Sequence, residues 1–292
     1  MCRGARRPTV RKTCFYHAGC PDGFGAAFAV WRAWGDTGSY VGRGHDDRSD
    51  IQGHEGGFVV FVDIAPGNDE LRELGEVAAH VLVLDHHVSA CNRFESDSSL
   101  QNVLAEAGHL VRFDLSHSGA MLAWRQFHPD QEPPPLLRYV EDQDLWNWEL
   151  PQSAEVNAAI GSHPHDFGVW QSLAERSPED LAREGAPIVR AQREEIRRAS
   201  GHAHPLRLGD LRVEAVNAAQ LRSHIGHELS KRKAFGNSVG VVYRVMGKRV
   251  DVSLYSIGDL DVSIIAEQHG GGGHRNAAGF SLPLSLWERD FL

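Results

Sequence analysis

The chain of 292 residues lacks the features that mark several classes of protein. Its cysteines are few and irregularly spaced, and they form no Cys-x-x-Cys pair, so the sequence predicts neither a zinc knuckle nor a disulfide framework. No long apolar segment is present, and no apolar h-region follows the basic first twelve residues, which argues against a membrane span and a secretory signal. We therefore expect a cytoplasmic protein without membrane contact, whose basic N-terminal tail is disordered. The cysteines are Cys2, Cys14, Cys20 and Cys91.

Positive charge is also scarce. The chain has 30 Lys and Arg against 39 Asp and Glu, a formal net charge of -9, so any phosphate-binding patch must be local. This balance argues against the extended basic track that long duplex nucleic acid requires. The content of 41% hydrophobic and 24% charged residues is typical of a globular protein with a substantial core, in one large or two medium domains.

Short β-like runs alternate with helix-like runs over residues 13–161, a pattern that indicates βαβ units and a mostly parallel sheet. A charged helical stretch follows at 178–199, and the remainder is typical of strands, at 239–244 and 250–255, with a glycine-rich turn. We therefore predict an α/β protein with a mostly parallel-sheet N-terminal domain and a smaller α/β C-terminal domain. The predicted bounds are 13–175 for the first domain, 176–203 for a helical connector and 204–292 for the second domain.

Acidic and imidazole side chains follow three apolar runs at the points where strands are predicted to end. In an open α/β sheet, ligands bind outside the carboxyl ends of the strands, so these groups are expected to converge. Carboxylates with imidazoles and no thiolate cluster suit manganese or magnesium better than structural zinc, and a pair of such ions can support phosphoryl chemistry. Taken singly, an Asp after a strand is also a common helix cap. The residues are His17, Asp22, Asp63, Asp85, His86 and His87, with Asp142 and Asp144 further along the chain.

A second motif is the glycine-rich segment 270–279. Consecutive glycines let the backbone approach a ligand closely and present N–H groups to an anion, and His274 and Arg275 can add hydrogen bonds or charge. A flexible loop is the alternative interpretation. The small residues Ala277, Ala278 and Gly279 favour tight packing instead.

In these motifs the chain resembles the DHH phosphoesterase superfamily, specifically the members with a DHH-associated C-terminal domain. The resemblance covers nearly the whole chain. It implies a two-domain phosphoesterase, usually manganese dependent, with the active site in the cleft between the domains and the far end of the substrate held by the second domain. The matching motifs are His17 to Gly23, Asp63, Asp85-His86-His87, Asp142 within 140–146, and 270–274 with 277–279.

The resemblance also implies roles for single residues. Asp63 would bridge two Mn²⁺ ions, with Mg²⁺ as the alternative metal. His87, with His86 beside it in the catalytic group, would contact the reacting phosphate, and Asp85 would orient both histidines. Asp144 either replaces Asp142 as a ligand or caps the segment that follows. The implied metal ligands are His17, Asp22, Asp63, His86 and Asp142. The implied substrate-binding residues are Gly271, Gly272, Gly273, His274, Arg275 and Tyr255.

The chain departs from the family pattern at two places. The first motif of the family often supplies two aspartates separated by one residue, whereas Cys20 and Phe24 flank Asp22 here. Either Cys20 is a ligand or one metal site is weakened, and a small core residue is the structural alternative. Tyr255 stands where the associated domain commonly has Arg, so it is interpreted as a stacking partner for a base or as a core residue. The positive charge of that arginine could be supplied instead by Arg244, Arg249 or Arg275.

Aromatic residues near the fourth motif can stack on nucleobases or form part of the core. They are Trp146, Trp148, Phe167 and Trp170.

The resemblance implies a metal-dependent phosphodiesterase or phosphatase that hydrolyses short oligonucleotides or small nucleotide phosphoesters, similar to nanoRNases, with water that the ions activate. One alternative is an inorganic pyrophosphatase or polyphosphatase. The other is a nucleotide-binding regulator with a weakened metal site. The expected partner is the small substrate rather than long duplex nucleic acid, and a homodimer is kept as one alternative for the oligomeric state.

Overall fold

The computed structural model describes residues 10–44 and 47–291. The predicted disordered tail, with Arg3, Arg6 and Arg7, therefore lies mostly outside the described residues. The chain divides into two compact units, Met1–Ala186 and Pro187–Leu292. Within the described part of the chain, no helix is both long enough and apolar enough to cross a membrane.

The first unit is built on a five-stranded sheet in which all neighbouring strands are parallel, in the order β2-β1-β3-β4-β5. The central strands β3 and β4 are buried on both faces, which explains why their sequences are continuous apolar runs without alternation. The predicted α/β fold with a mostly parallel N-terminal sheet is confirmed. The strands are β1 (Lys12–His17), β2 (Ser39–Arg43), β3 (Phe58–Val62), β4 (His80–Asp85) and β5 (Leu110–Phe113).

Helices cover the two faces of this sheet. The alanine-rich middle of α1, residues 26–30, is fully buried, and all of these residues except Ala27 belong to the largest hydrophobic cluster among the described residues. Ser118 caps α5 by accepting a hydrogen bond from the Met121 N–H. The helices are α1 (Pro21–Trp34), α2 (Asn68–Val77), α3 (Val88–Glu95), α4 (Ser98–Glu106), α5 (Gly119–Phe127), α6 (Pro135–Asp144), α7 (Ser153–Ser162) and α8 (Phe167–Ala174).

The charged stretch that follows is one long helix, α9 (Pro178–Ser200). The boundary between the two units falls inside this helix, between Ala186 and Pro187.

The second unit contains a six-stranded mixed sheet in the order β10-β11-β9-β8-β7-β6. Only β7 and β8 pair in parallel, and the other neighbours are antiparallel. Its core includes Val241, Leu254 and Trp287, all at most 1% exposed. The strands are β6 (His204–Leu208), β7 (Leu211–Asn217), β8 (Val239–Met246), β9 (Arg249–Ser256), β10 (Gly272–His274) and β11 (Ala277–Pro283). The helices are α10 (Arg222–Arg232), α11 (Val262–Gln268) and α12 (Leu284–Asp290).

Candidate active site

Three neighbouring strands of the first sheet deliver the candidate ligands at one edge. His17 is the last residue of β1, Asp63 follows β3, and Asp85 is the last residue of β4. Because β1, β3 and β4 are adjacent and parallel, their carboxyl ends meet at the same edge of the sheet. The alternation of strands and helices in the sequence therefore places these side chains together.

Asp63 lies at the centre of the group, and its side chain is 2% exposed. Its φ of 57° is in the left-handed region, which is costly for a residue other than glycine, by about 1–3 kcal/mol. The Asp63 N–H donates to the Leu84 carbonyl at 2.9 Å, which holds this conformation. Oδ1 lies 3.0 Å from His86 Nε2 and Oδ2 lies 3.5 Å from His17 Nδ1. Two oxygens directed at different imidazoles are the arrangement that a bridging carboxylate needs.

His86 Nε2 faces a group of carboxylates. The ring nitrogen lies 3.0 Å from Asp63 Oδ1, 3.4 Å from Asp144 Oδ2 and 3.6 Å from Asp22 Oδ2. Burial opposes the charged imidazolium, but the hydrogen bond to Asp63 and the nearby carboxylates outweigh it and raise the pKa of His86 to about 10. The single N–H at His86 Nε2 cannot donate to all three carboxylates. Because negative charge is left over, this pocket favours a bound cation.

The carboxylate of Asp22 is held by the N-terminus of α5. It accepts hydrogen bonds from the Gly119 N–H at 2.7 Å and the Ala120 N–H at 3.0 Å, where the helix dipole favours negative charge. Burial and the charges of Asp63 and Asp144 nevertheless raise the pKa of Asp22 well above its ordinary value. This contribution of α5 was not predicted from the sequence.

The pKa of Asp63 shifts in the opposite direction. Burial acts to raise it, but hydrogen bonds from His17 and His86 overcome burial and hold this pKa well below the ordinary range. Asp63 is therefore ionised more readily than Asp22 and Asp144, whose pKa values are raised.

Asp85 positions His87. Oδ1 of Asp85 accepts from His87 Nδ1 at 2.7 Å and from the His86 N–H at 2.8 Å. Burial opposes charge on His87, but the charge of Asp85 and this hydrogen bond leave the pKa of His87 above its ordinary value. The bond fixes the ring orientation, with Nδ1 as the donor. Among the described residues, the buried Asp85 Oδ2 has no hydrogen-bond partner.

The structure separates the two aspartates of the fourth motif. Asp142 accepts from the Glu149 N–H at 2.9 Å and the Leu150 N–H at 3.3 Å, so its carboxylate holds the loop after α6. Asp144 instead approaches His86. Residues two apart on a helix differ in direction by about 200°, so both cannot face the same site. Of the two aspartates, Asp144 is the one that lies beside His86, and its pKa is raised to about 6 by loss of solvent around it, with Asp63 adding to the shift.

Cys20 lies inside this group and outside the hydrophobic clusters. Its Sγ is 3.4 Å from His17 Nδ1 and 3.4 Å from Asp63 Oδ2. Phe24, by contrast, is a core residue, 2% exposed.

The donor set fits divalent ions. Three groups of ligand atoms, each within 4.8 Å of one another, lie at this edge, and two of them share Asp63. A bound cation would compensate the negative charges of the buried carboxylates. It would also interact with the Asp85 Oδ2 atom, which has no hydrogen-bond partner among the described residues. The groups are His17 with Cys20 and Asp63, Asp22 with His86 and Asp144, and Asp63 with Asp85 and His87.

The glycine-rich segment of the second unit forms a hairpin. His274 pairs with Ala277 where β10 meets β11. A Cβ at Gly271 would overlap the carbonyl oxygen of Gly279, and Gly273 has a φ of 141°, so both glycines are required by the backbone. The predicted flexible-loop alternative does not match this pairing. Gly272 lies between them in β10.

The other predicted substrate-binding residues have structural partners. The ring of Tyr255 packs against Gly226 of α10, and its hydroxyl lies 3.2 Å from Ser223 Oγ. The Arg275 guanidinium donates to the Asp259 carbonyl at 2.8 Å and is largely exposed. Arg244 pairs with Asp251, and Arg249 donates to Ser281.

The four aromatic residues near the fourth motif fall into two pairs. Trp170 is fully buried and Phe167 packs against the same core. Trp146 and Trp148 are partly exposed, with ring centroids 5.1 Å apart and φ values of 59° and 56°. The Asp142 carbonyl accepts from the Trp148 N–H at 3.3 Å and helps to hold this strained loop beside Asp144.

Comparisons with known proteins match both parts of the chain. Residues 211–291 match the DHHA1 domain family. Uncharacterized protein R106 of Acanthamoeba polyphaga mimivirus is 29% identical over 289 residues, which cover 91% of this chain and 66% of that protein. Oligoribonuclease NrnB of Bacillus subtilis (strain 168) is 24% identical over 254 residues, which cover 79% of this chain and 60% of that protein.

The chain thus spans 66% and 60% of the length of these two relatives. Among solved structures, an exopolyphosphatase-related protein from Bacteroides fragilis aligns with 93% of this chain and 86% of its own chain, at a TM-score of 0.49 and 8% identity. Residues 211–291 thus match the DHHA1 domain family, and Asp85, His86 and His87, at the end of a parallel strand beside His17 and Asp63, resemble the name-giving motif of the DHH phosphoesterase superfamily.

Proposed function

We propose that the protein is a metal-dependent phosphodiesterase that hydrolyses short oligonucleotides or small nucleotide phosphoesters. The observation that carries this proposal is the convergence of carboxylates from Asp22, Asp63 and Asp144 within 3.6 Å of a single nitrogen of His86. A substrate with a phosphodiester is anionic, so this acidic pocket would repel it unless cations were present.

Two divalent ions would be held by His17, Asp22, Asp63, His86 and Asp144, with Asp63 shared between them. Oxygen-rich ligands favour Mn²⁺, with Mg²⁺ as the alternative. Bound ions would polarise the phosphate, stabilise its developing charge and lower the pKa of a water molecule.

The remaining side chains have their own tasks. His87, oriented through Nδ1 by Asp85, donates a hydrogen bond to a phosphate oxygen from its second ring nitrogen when the ring is protonated. The raised pKa of His87 extends the pH range in which the ring carries that second proton. Asp142 acts on the aromatic loop rather than on the ions.

The β10–β11 hairpin, with His274, Arg275 and the glycine N–H groups, is proposed to hold the part of the substrate that does not react. NrnB is described as an oligoribonuclease, which supports a short nucleotide substrate here. The partly exposed Trp146 and Trp148 rings offer stacking surfaces for a base, and a phosphate-only substrate would not need them.

The test is a substrate screen with the full chain and Mn²⁺, against dinucleotides, cyclic dinucleotides, 3'-phosphoadenosine 5'-phosphate and pyrophosphate. We expect release of mononucleotides from dinucleotides. Phosphate release from pyrophosphate alone would replace the proposal with a pyrophosphatase. Tight nucleotide binding without turnover of any compound would replace it with a regulator.

A further inference from the structure

A thiol sulfur, an imidazole nitrogen and a carboxylate oxygen form a nearly equilateral triangle at the candidate metal site. Cys20 Sγ lies 3.4 Å from His17 Nδ1 and 3.4 Å from Asp63 Oδ2, and the two latter atoms are 3.5 Å apart. An ion bonded to sulfur at about 2.3 Å and to nitrogen and oxygen at about 2.1 Å holds tetrahedral ligands about 3.4–3.6 Å apart. The three atoms therefore already have the spacing of one face of such a coordination shell.

The position of the thiol follows from the start of α1. Cys20 is the residue that caps this helix, and its Sγ accepts from the Gly23 N–H at 3.2 Å. A Cβ at Gly23 would overlap the His17 carbonyl oxygen, so glycine is required for this close return of the chain. The cap thus fixes Sγ between β1 and Asp63.

Neither capping nor packing explains the choice of cysteine. Ser, Thr, Asp and Asn are the preferred cap residues, and any of them could accept the Gly23 hydrogen bond. The buried Cys14 belongs to the main hydrophobic core, whereas Cys20 is only partly buried and its described neighbours include His17 and Asp63. The neighbouring His17 and Asp63 atoms make a metal ligand the role that the thiol can fill at this point.

We propose that Cys20 is a direct metal ligand, and that His17, Cys20 and Asp63 form a position selective for ions that accept thiolate, such as Co²⁺ and Zn²⁺. The Asp22, His86 and Asp144 group has two oxygen donors and no sulfur, so it favours harder ions. The two ions of the proposed function would then occupy chemically different positions. Binding at Cys20 releases the thiol proton to solvent. The inference rests on the proposed function only in requiring that this group of residues binds divalent ions.

The test is a Co²⁺ titration of the full chain in anaerobic, thiol-free buffer, followed by near-ultraviolet absorption. We expect a sulfur-to-cobalt charge-transfer band in the wild type, and its loss in Cys20→Ser. Serine keeps a cap acceptor, so the fold is expected to survive, and circular dichroism checks this. Cys14→Ser and Cys91→Ser are the matched controls and should keep the band.

Calorimetric titration supplies a second measurement. Cys20→Ser should weaken Co²⁺ binding by about tenfold or more and Mn²⁺ binding by less, and Cys20→Asp should restore Mn²⁺ binding without a band. Co²⁺ binding without a band in the wild type, or an unchanged band in Cys20→Ser, would overturn the assignment of Cys20 and leave the hydrolase proposal standing. Failure of the wild type to bind any divalent ion would overturn both.

Discussion

The Asp63 carboxylate turns one oxygen towards His86 and the other towards His17, from a backbone in the left-handed region. That conformation is costly, and it directs the one side chain that two ions would share. Asp and Asn are the residues that tolerate this region best after glycine. Substitution by asparagine therefore removes the charge and leaves the backbone preference in place.

We expect Asp63→Asn to abolish hydrolysis while the protein remains folded. Loss of the shared carboxylate leaves two cations facing each other without the charge that screens them. The measurements are the turnover of a dinucleotide with Mn²⁺ and the thermal unfolding of the metal-free protein. Asp69→Asn, at an exposed position in the first turn of α2, is the control and should keep full activity. Turnover of Asp63→Asn at the wild-type rate would contradict the two-ion site.

The two aspartates of the fourth motif should respond differently to the same change. Asp144→Asn is expected to weaken Mn²⁺ binding by about tenfold to a hundredfold, with little loss of stability. Asp142→Asn should lower the free energy of unfolding by about 1–3 kcal/mol, because the N–H groups of Glu149 and Leu150 lose a charged acceptor. Calorimetric titration and denaturant unfolding of both variants distinguish the roles, and the reverse pattern would restore Asp142 as the ligand.

Among the secondary-structure elements, β1, β3 and β4 were predictable from the sequence. Their apolar runs mark strands, and parallel pairing then brings His17, Asp63 and Asp85 to one edge. The end of α6 was not predictable, because hydrogen bonds from a loop in left-handed conformations decide whether Asp142 or Asp144 faces that edge.

Solvent exposure was equally hard to predict from composition. Trp170 and Trp148 have the same side chain in neighbouring segments, yet one is fully buried in the core and the other is partly exposed. Trp170 of α8 packs against Phe24 and Phe28 of α1, whereas Trp148 lies in the loop between α6 and α7. In the second unit, the consecutive glycines of the sequence predicted that the backbone comes close to another group. In the structure, the backbone at Gly271 and Gly273 packs closely against β11.

The β10–β11 hairpin should affect catalysis through the part of the substrate that does not react. Binding energy from remote groups positions the reacting phosphate, so its loss lowers turnover as well as affinity. We expect His274→Ala to reduce kcat/KM on a dinucleotide by about tenfold to a thousandfold. The kcat/KM on a small ester such as bis-p-nitrophenyl phosphate should fall much less, because this ester has little beyond the reacting phosphate for the hairpin to bind. Equal losses on both substrates would place His274 in the chemistry or in the stability of the fold.

Arg43 at the end of β2 and Glu70 of α2 form a buried ion pair in the first unit. The Glu70 carboxylate accepts from both Arg43 Nη atoms, at 2.9 and 3.0 Å, and from the Ser49 N–H at 2.9 Å. Burial acts to raise the pKa of Glu70, but these hydrogen bonds outweigh it and the net pKa lies below the ordinary value. A depressed pKa means that this stabilisation is present above the ordinary glutamate pKa and is lost as the pH falls through the lower folded value.

We therefore expect Glu70→Gln to cost about 3–5 kcal/mol of unfolding free energy at pH 7, because it leaves the buried Arg43 without its countercharge. The cost should shrink as the pH falls through the lowered pKa of Glu70, because the wild type then loses the same charge. Urea unfolding at a series of pH values measures both. Glu73→Gln, at an exposed ion pair with Arg48, is the control and should cost less than about 1 kcal/mol at any pH. A pH-independent cost for Glu70→Gln would show that shape, not charge, matters at this position.

At the scale of the whole molecule, the described candidate metal ligands in the clusters discussed above belong to Met1–Ala186, so metal binding should stabilise that unit directly. The chain carries a net charge of -9, and part of this negative charge is concentrated and buried at one sheet edge. A ligand that binds only the folded state at about a hundred times its Kd adds about 2.7 kcal/mol to the free energy of unfolding. Mn²⁺ should therefore raise the Tm of the transition that involves the first unit.

The size of this Tm increase should depend on pH in a direction that the ligand pKa values determine. The pKa of Asp144 is raised to about 6 and that of Asp22 is raised well above its ordinary value, so protons compete with the ion for both carboxylates as the pH falls. We expect a large increase in Tm with Mn²⁺ at pH 8 and a small one at pH 5, measured by scanning calorimetry against a chelator control. Asp144→Asn should lose much of the increase at pH 8, whereas Asp69→Asn should keep it. An increase that is the same at both pH values, or that survives in Asp63→Asn, would mean that the ion binds away from this group of carboxylates and that the acidic edge of the sheet serves another purpose.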